Sequence, residues 1–377
     1  MRLFSRLLFL TFFIAAIPNP ASSASEFRGL YVDAFHPGFK NHDEVTQMVA
    51  AAKAANFNAL FVEVRKRGDA YYKSTIEPRA ADITGGADYD PLADVIQQAH
   101  AAGLEVHAWV VLYEVSYETY QLPSTHIAKA HPDWLMSSRD GKTTLDRGRI
   151  YVDPGIPAVQ DHIVAVTREI LTKYDVDGIH VEDPVYPGLN SGYNPASVAL
   201  FNQETSKSGI PEDSDEAWCQ WRQAQVTKSI RRIRDMVLEV KPKVKLSACV
   251  ASYDPKDTRK RSLQEWDVWA DQGLVDFIVP MVSAPGQVMS RVATKASESA
   301  AGRHVYMGIG TYKLSASAAS DQIRGVRGSG ALGTVLFSYN FLKVAEDGPE
   351  MVKMADLSSV FSESATIPAM AWKGAGK

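Results

Sequence analysis

The chain lacks the features that mark several common kinds of site. It has two cysteines in 377 residues, too few for a scaffold built on disulfides. Cys219 and Cys249 lie in separate apolar segments, which favours buried free thiols. The net charge of -4 lacks the basic excess of a nucleic-acid-binding protein, so nucleic acid is not expected as a partner. A Walker loop, an H-E-x-x-H zinc motif and a G-x-S-x-G nucleophile elbow are all missing from the sequence.

Long apolar runs are also scarce, apart from one at the start of the chain. Arg2 and Arg6 precede the apolar residues 7–17, and small residues follow at Ser22 and Ala24. This pattern is typical of a cleavable secretory signal, and the run is too short to cross a bilayer. No later segment approaches the length of a spanning helix. We therefore expect a signal peptide at residues 1–24 and an exported mature chain, periplasmic or secreted, without an integral membrane span.

Strand and helix patterns alternate along the rest of the chain. Apolar runs with strand character recur eight times, at about residues 28–35, 58–64, 104–112, 176–182, 243–250, 275–281, 304–310 and 332–338. Helical patterns lie between or after them, near residues 43–55, 91–102, 158–173, 216–240, 263–272, 287–301, 316–326 and 346–357. The second helix carries clear end signals, with Asp90 as its cap, Pro91 in its first turn and Gly103 after its end.

Eight β/α units in succession predict a single (β/α)₈ TIM barrel over residues 25–365. An open doubly wound sheet remains the alternative, although the first strand is followed by residues 33–38, which lack a glycine-rich dinucleotide turn. Residues 366–377 are expected to form a flexible tail. Long segments follow the third strand, at residues 113–157, and the fourth, at residues 183–215. Active sites of TIM barrels are built from the segments at these strand ends.

Titratable side chains gather at the predicted strand ends. Glu182 and His180 share one face of strand four because side chains alternate along a strand, and Asp183 follows at the rim. Strand two places Glu63 and Arg65 on one face by the same reasoning. Glycoside cleavage needs two carboxyl groups, so we predict Glu182, Asp183 and Glu63 as the catalytic residues. Structural interpretations stay open, since His180 can be a core histidine and Glu63 with Arg65 a structural ion pair.

Other residues at the same end of the barrel are candidates for substrate binding. Aromatic side chains in the long segments stack on sugar faces in many barrels, although they equally often form small cores that hold loops. The predicted substrate-binding residues are Asp33, Arg65, His107, Trp109, His180, Tyr113, Tyr186 and Tyr339.

A metal site is the main rival chemistry from the residues alone. His107, His180, Glu182 and Asp183 are all competent ligands for zinc or a related ion. Their spacing matches no metal motif, and we predict neither a metal nor another cofactor.

Several segments together resemble the bacterial glycosyl-hydrolase-like family 10. The likeness covers nearly the whole mature chain, and its clearest segments are Arg28-Gly-Leu-Tyr-Val, Asp88-Tyr-Asp-Pro-Leu, residues 99–109, Val152-Asp-Pro-Gly155, residues 177–187, Trp266-Asp-Val-Trp269, residues 275–280, Met307-Gly-Ile-Gly310 and Phe337-Ser-Tyr339. The resemblance implies a TIM-barrel glycosidase with a polysaccharide substrate, and exported members of the family are associated with cell-wall and other envelope glycans.

The sequence departs from the family pattern at the fourth and sixth strands. The family motif on strand four reads D-G-x-H-x-D-D-Y, which Asp177 to Asp183 follow except that Glu182 replaces an aspartate and Pro184 a tyrosine. Met281 and Ser283 stand where the family often has Gln and Tyr.

The sequence as a whole predicts an exported glycoside hydrolase that acts on a polysaccharide, with the glycan strands of peptidoglycan as one candidate. Two alternatives stay open: a glycan-binding barrel without catalysis, and a metal-dependent deacetylase or amidohydrolase. The linkage that is cleaved and the oligomeric state are not predicted.

Overall fold

Eight parallel strands close into a barrel in the computed structural model, which describes residues 24–182, 184–282, 284–312, 314–343 and 351–374. The strands are β1 (Phe27–Val32), β2 (Ala59–Arg65), β3 (Glu105–Val111), β4 (Gly178–Glu182), β5 (Lys245–Val250), β6 (Phe277–Val282), β7 (His304–Val305 and Met307–Gly310) and β8 (Gly333–Phe337). Neighbouring strands pair in chain order, β8 pairs with β1, and β5 pairs with β6, so the sheet has no free edge. The predicted TIM barrel and its eight strands are confirmed.

Helices surround the barrel, as expected for a parallel sheet that is covered on its outer face. The α-helices are His42–Ala54, Pro91–Ala101, Ile127–Ala130, Pro157–Lys173, Pro195–Thr205, Glu216–Val240, Pro255–Ser262, Trp266–Asp271, Gly286–Ser299, Ala316–Val326, Tyr339–Lys343 and Ala371–Gly374, with 3₁₀ turns at Pro132–Trp134 and Met354–Ser359. The expected end signals of the second helix are present: Asp90 accepts a hydrogen bond from the Ala93 amide at 3.2 Å, and Gly103 has a φ of +73°.

The last predicted helix, residues 346–357, is not found in the part that the structure describes. Residues 344–350 lie outside the described ranges. Met351 instead pairs with Ser315 in an isolated β-bridge, and a short 3₁₀ turn begins at Met354. Contacts with a neighbouring segment of the chain therefore override the helical pattern of this stretch.

Two long segments leave the carboxyl ends of β3 and β4, as the sequence predicts. The segment after β3 carries a small antiparallel sheet of Glu114–Tyr117, Leu145–Asp146 and Arg149–Tyr151. The segment after β4 carries the helix Pro195–Thr205. We call this end of the barrel, where the carboxyl ends of the strands lie, the mouth.

The opposite end of the barrel is covered by the C-terminal segment. Ile367, Met370 and Trp372 pack against the inward-facing residues of the barrel, and the Trp372 Nε1 donates a hydrogen bond to Asp276 Oδ1 at 2.9 Å. The expectation of a flexible tail from residue 366 is therefore wrong for residues 366–374. Three apolar side chains spread over six positions give no periodic signal, which explains why the sequence pattern did not reveal this role.

The barrel interior below the mouth is filled mainly by aromatic rings. Phe27 stacks on Tyr306 with ring centroids 4.0 Å apart, and Phe61 stacks on His107 at 4.7 Å. Gly178 makes room for this layer, because a Cβ atom there would lie 2.0 Å from Nδ1 of His107. The glycine of the Asp177-Gly178 pair thus serves the packing of the barrel.

Candidate active site

A small cleft of about 190 Å³ opens at the barrel mouth. Strands β2, β3, β4 and β8 contribute side chains to it, together with the loops after β1, β2 and β3. Its lining residues are Phe35, Glu63, Lys66, Arg67, Trp109, Val111, Glu114, Arg149, Glu182 and Phe337. Two of the three predicted catalytic carboxylates, Glu63 and Glu182, are therefore in the same cleft.

Glu63 projects inward from β2 and is almost completely buried, with 1% of its surface exposed. Its Oε2 accepts a hydrogen bond of 2.7 Å from the backbone amide of Ala34. Burial raises the pKa of Glu63 to about 8; the Ala34 amide opposes this rise, and the negative charge of Asp33 adds to it. Glu63 is thus protonated at neutral pH and able to donate a proton.

Glu182 ends β4 and is partly exposed in the cleft. It pairs in register with Val111 of β3, so it lies at the top of the barrel wall. Its charge is near enough to Tyr31 to contribute to the raised pKa of that phenol, after burial and Cys249. Asp183, the third predicted catalytic residue, lies outside the described residues and stays a prediction.

Asp33 is buried directly after β1, beside Glu63. Its Oδ2 accepts a hydrogen bond of 2.7 Å from the Ser338 hydroxyl, and its Oδ1 lies 2.6 Å from Nδ1 of His36. These contacts fix the position of the carboxyl group. Asp33 does not line the cleft, and it affects the cleft because its charge helps to raise the pKa of Glu63.

Trp109 of β3, one of the predicted substrate-binding residues, forms part of the cleft. Its indole ring meets Tyr31 edge-on with centroids 5.0 Å apart. The buried Nε1–H has no hydrogen-bond acceptor among the described residues. A buried donor without a partner carries a desolvation cost, which a polar ligand group can relieve.

His180 and His107 face the barrel interior, as the strand alternation predicts, but they lie below the cleft. The His180 nitrogens are 2.8 Å from the Tyr31 hydroxyl and 2.9 Å from the Ser247 hydroxyl. Burial, with a smaller effect of His107, holds the pKa of His180 well below its usual range. Both histidines are fully buried, and the prediction that they contact substrate is corrected: they belong to the core.

Arg65 points away from the cleft, contrary to the prediction that it shares a face with Glu63. A register shift between these two residues inserts an extra position into β2 and turns the Arg65 side chain outward. The guanidinium then forms a buried ion pair with Glu77, with Nη2 2.8 Å from Oε1. Although burial raises the pKa of Glu77, the charge of Arg65 outweighs it and lowers the pKa to about 2, so Glu77 is ionised at neutral pH.

The three predicted sugar-stacking tyrosines are also part of the core. All three are buried, with at most 2% of the surface exposed, and contribute to the main hydrophobic cluster: Tyr113, Tyr186 and Tyr339. The Tyr186 hydroxyl donates to Asp153 at 3.3 Å, and Tyr339 lies against Gly38. They hold loops in place, and their predicted contact with substrate is corrected.

Sequence reasoning missed most of the residues at the rim of the cleft. Phe35, Lys66 and Arg67 come directly after β1 and β2, whereas Glu114 and Arg149 belong to the small sheet after β3. The position of the first three, immediately after strand ends, is a signal that was available in the sequence. The other two depend on an antiparallel pairing that no short-range pattern predicts.

The described ranges offer no metal-binding geometry. Within them, no group of three or more His, Cys, Asp or Glu side chains is arranged to hold an ion. Within the described chain, Cys219 and Cys249 are not joined by a disulfide bond. Over the same ranges, no helix combines the length and the apolar character needed to cross a membrane.

Comparison with known proteins identifies a family. The model of the family described as Glycosyl hydrolase-like 10 matches residues 26–323. The chain is 26% identical over 363 residues to the glycosyl hydrolase YngK of Bacillus subtilis, covering 87% of this chain and 68% of the relative. It is 30% identical over 256 residues to the glycosyl hydrolase DigH of Escherichia coli K12, covering 60% of this chain and 55% of that one.

Solved structures show the same fold. The glycoside hydrolase domain of PgaB (BpsB) from Bordetella bronchiseptica superposes with a TM-score of 0.64 at 13% identity, covering 92% of this chain and all (100%) of that one. The catalytic domain of a β-amylase from Paenibacillus polymyxa gives a TM-score of 0.61 at 12% identity, covering 90% and 98%. These likenesses establish a shared barrel architecture.

Proposed function

Because the chain belongs to the glycosyl hydrolase-like 10 family, we propose that it hydrolyses glycosidic bonds of a polysaccharide, with Glu63 and Glu182 as the reacting pair. A glycosidase-type function is supported by the family and by the barrel that the chain shares with glycoside hydrolases. The observation that carries the residue assignment is the cleft itself: two glutamates line it, and burial keeps one of them protonated at neutral pH.

The spacing of the two strands suits this reaction. Strands β2 and β4 are separated by β3, and neighbouring strands lie about 4.8 Å apart, so the two strands are roughly 10 Å apart across the barrel wall. Inward-reaching glutamates on such strands can approach the roughly 5 to 9.5 Å that separates the carboxyl groups of glycosidases.

In the proposed reaction, Glu63 donates its proton to the glycosidic oxygen as the bond to the anomeric carbon breaks. Glu182 supplies the second carboxylate, either attacking the anomeric carbon or taking a proton from the water that attacks it. One water is consumed per bond, and a new reducing end and a new free hydroxyl are formed. The anomeric configuration of the first product distinguishes the two roles of Glu182.

The test begins with the mature protein and a panel of purified envelope polysaccharides, including peptidoglycan strands with and without their peptides. Mass spectrometry should show shortened chains with new reducing ends. Glu182→Gln preserves the size of the side chain and removes its charge, and we expect it to abolish cleavage, whereas Glu298→Gln on an exposed helix serves as the matched control. Unchanged cleavage by the Glu182→Gln protein would exclude the proposed role of this residue.

The same products separate the two rival functions. A glycan-binding barrel retains the polysaccharide without shortening it. A metal-dependent deacetylase releases acetate, leaves the chain length unchanged and loses its activity in the presence of a chelator. Either result would contradict the proposed glycosidase.

We further propose that the protein acts outside the cytoplasm, where envelope polysaccharides are found. The support is the charged and apolar pattern of residues 1–24, of which residues 1–23 lie outside the described residues. Fractionation of cells that express the full chain, with mass determination of the mature N-terminus, tests this. Recovery of the uncleaved chain in the cytoplasm would contradict it.

A further inference from the structure

Two half-exposed aromatic side chains flank one arginine at the rim of the cleft. Phe35 and Tyr120 are each 48% exposed, among the largest exposures of bulky apolar residues in the described chain. The Arg67 guanidinium lies 4.7 Å from the centre of the Phe35 ring and 5.1 Å from that of Tyr120, with Tyr117 at 5.4 Å. We call these four residues the aromatic arm.

Arg67 holds the arm in one geometry. Its Nε donates to Glu114 Oε1 at 2.6 Å and its Nη1 donates to the Tyr120 hydroxyl at 2.8 Å. Lys66 lies over the Phe35 ring at 5.1 Å. Rings fixed in this way lose little conformational freedom on binding a ligand, which is the physical basis of a preorganised site.

The arm continues the cleft. Phe35 and Arg67 line the cleft that also contains Glu63, Glu182 and Trp109. Tyr120 comes from the segment after β3 and extends the aromatic surface away from the strand ends. A polysaccharide chain that enters the cleft is longer than the cleft, so further sugar rings must lie on the surrounding surface.

The chemistry of the arm favours an uncharged ring. The Arg67 charge is paired with Glu114, and both side chains are mostly buried, so the exposed part of the arm consists of ring faces. Pyranose rings present C–H faces that pack on aromatic surfaces in the same way as other apolar groups. An anionic ligand would have to compete with Glu114 for the guanidinium.

We propose that the aromatic arm is a second sugar-binding subsite, which takes an uncharged pyranose ring of the polysaccharide beyond the bond that is cleaved. This inference rests on the proposed function and adds to it a dependence on chain length. Short oligosaccharides fill the cleft and reach Phe35, whereas longer ones also cover Tyr120.

The experiment measures binding of peptide-free peptidoglycan strands, separated into short and long oligosaccharides, by calorimetry. The Glu182→Gln protein is the background, because it is expected not to degrade the ligand. Tyr120→Ala should weaken binding of the long oligosaccharides about three- to tenfold and leave that of the short ones unchanged. Phe35→Ala should weaken binding of both, because Phe35 also lines the cleft. Leu238→Ala, which removes a similarly exposed apolar side chain from a helix, is the matched control.

A second variant tests the part played by Arg67. Arg67→Lys keeps the positive charge beside Glu114 and removes the planar group between the rings. It should reduce the advantage of long over short oligosaccharides, and circular dichroism should show an unchanged fold.

The outcomes separate the two proposals. If short and long strands both bind and the Phe35 and Tyr120 variants alter neither affinity, the subsite is excluded and the proposed function stands. If the advantage of long over short strands is lost when their lactyl carboxylates are converted to amides, the preference for an uncharged ring is wrong. If neither strand length binds and no other polysaccharide is cleaved by the wild-type protein, the proposed function fails and the subsite fails with it.

Discussion

The two halves of the barrel interior differ in how well their buried polar groups are hydrogen-bonded. Below the cleft, His180 has hydroxyl partners on both ring nitrogens, and its neutral form suits its surroundings. In the cleft, the buried Glu63 carboxyl group accepts a hydrogen bond from the Ala34 amide and lies near the negative charge of Asp33. The Trp109 Nε1–H has no acceptor within the described chain. The lower half thus stabilises the fold, while the mouth holds groups that a ligand can use.

This difference leads to opposite expectations for substitutions in the two halves. Changes in the mouth should reduce activity and leave stability equal or higher, as is common at sites where function opposes stability. Changes in the lower half should lower the free energy of unfolding and leave kcat unchanged. The following predictions test the contrast, from the largest expected effect to the smallest.

The largest effect is expected for Glu63→Gln. Loss of the proton donor should reduce kcat by roughly 10²- to 10⁴-fold on the polysaccharide identified as the substrate. In the wild type, kcat should fall as the pH rises through about 8, since Glu63 must be protonated to act. An unchanged alkaline limb in the Glu63→Gln protein would assign that limb to another group.

The same substitution should stabilise the protein. The pKa of Glu63 is higher in the folded state than the ordinary value of 4.5, so its cost to stability is absent at pH 4 and grows as the pH rises to about 8. Glutamine keeps an acceptor for the Ala34 amide and carries no charge. Urea unfolding should show a gain of roughly a few kcal/mol at pH 8 and little change at pH 4. A loss of stability at pH 8 would contradict the assigned protonation.

In the lower half, His180→Ala should have the opposite effects to Glu63→Gln: it should lower stability and leave activity unchanged. It leaves a cavity and removes the partner of two buried hydroxyl groups, so the free energy of unfolding should fall by roughly 2 to 4 kcal/mol. At a temperature where the variant is folded, kcat should stay near the wild-type value. A large fall in kcat with unchanged stability would place His180 in the catalytic machinery after all.

At the base of the barrel, Trp372→Ala should lower the stability of the protein by less than His180→Ala does. The indole donates to Asp276 and lies under the Arg303 guanidinium, 4.5 Å from the ring centre. Loss of both contacts should lower the free energy of unfolding by roughly 1 to 3 kcal/mol, with kcat and KM unchanged. An equal stability for wild type and variant in urea would show that this end of the chain is not needed to close the barrel.

The smallest effect is expected for Trp109→Phe in the cleft. Phenylalanine keeps an aromatic ring and removes the Nε1–H, which is the group we expect to bind a sugar oxygen. KM should rise by about three- to tenfold, because one neutral hydrogen bond contributes about 1 kcal/mol. Stability should be equal or higher, and a variant with wild-type KM would show that the N–H contacts no substrate.

Alternation along the strands predicted which face each side chain takes but not its depth in the barrel. His107 and Trp109 both face inward, yet only Trp109 reaches the cleft, because His107 lies one side-chain layer further from the strand end. The segment from Asp177 to Glu182 divides in the same way. At the base of the barrel, Asp177 accepts a hydrogen bond of 2.7 Å from the Val106 amide, and Gly178 makes room for the His107 ring. Further along the strand, His180 fills the core and Glu182 reaches the cleft.

Other parts of the site depended on features with no local pattern. The extra residue in β2 reverses the direction of Arg65, and an inserted position of this kind is invisible to a period of two. The aromatic arm joins Phe35, Arg67 and Tyr120 from three separate loops. Strand count, barrel closure and the positions of the longer helices, in contrast, follow from repeated patterns along the chain and were predicted.

The residues before β1 and the C-terminal segment meet at the closed base of the barrel. The Glu26 amide donates a hydrogen bond of 3.0 Å to the Thr366 carbonyl, and Trp372 donates to Asp276 at 2.9 Å. A surface linker that is attached beside either segment therefore starts on the side opposite the cleft. Immobilised by such a linker, the protein would present its mouth to the solution, so a polymer too large to diffuse into a porous resin can still reach it.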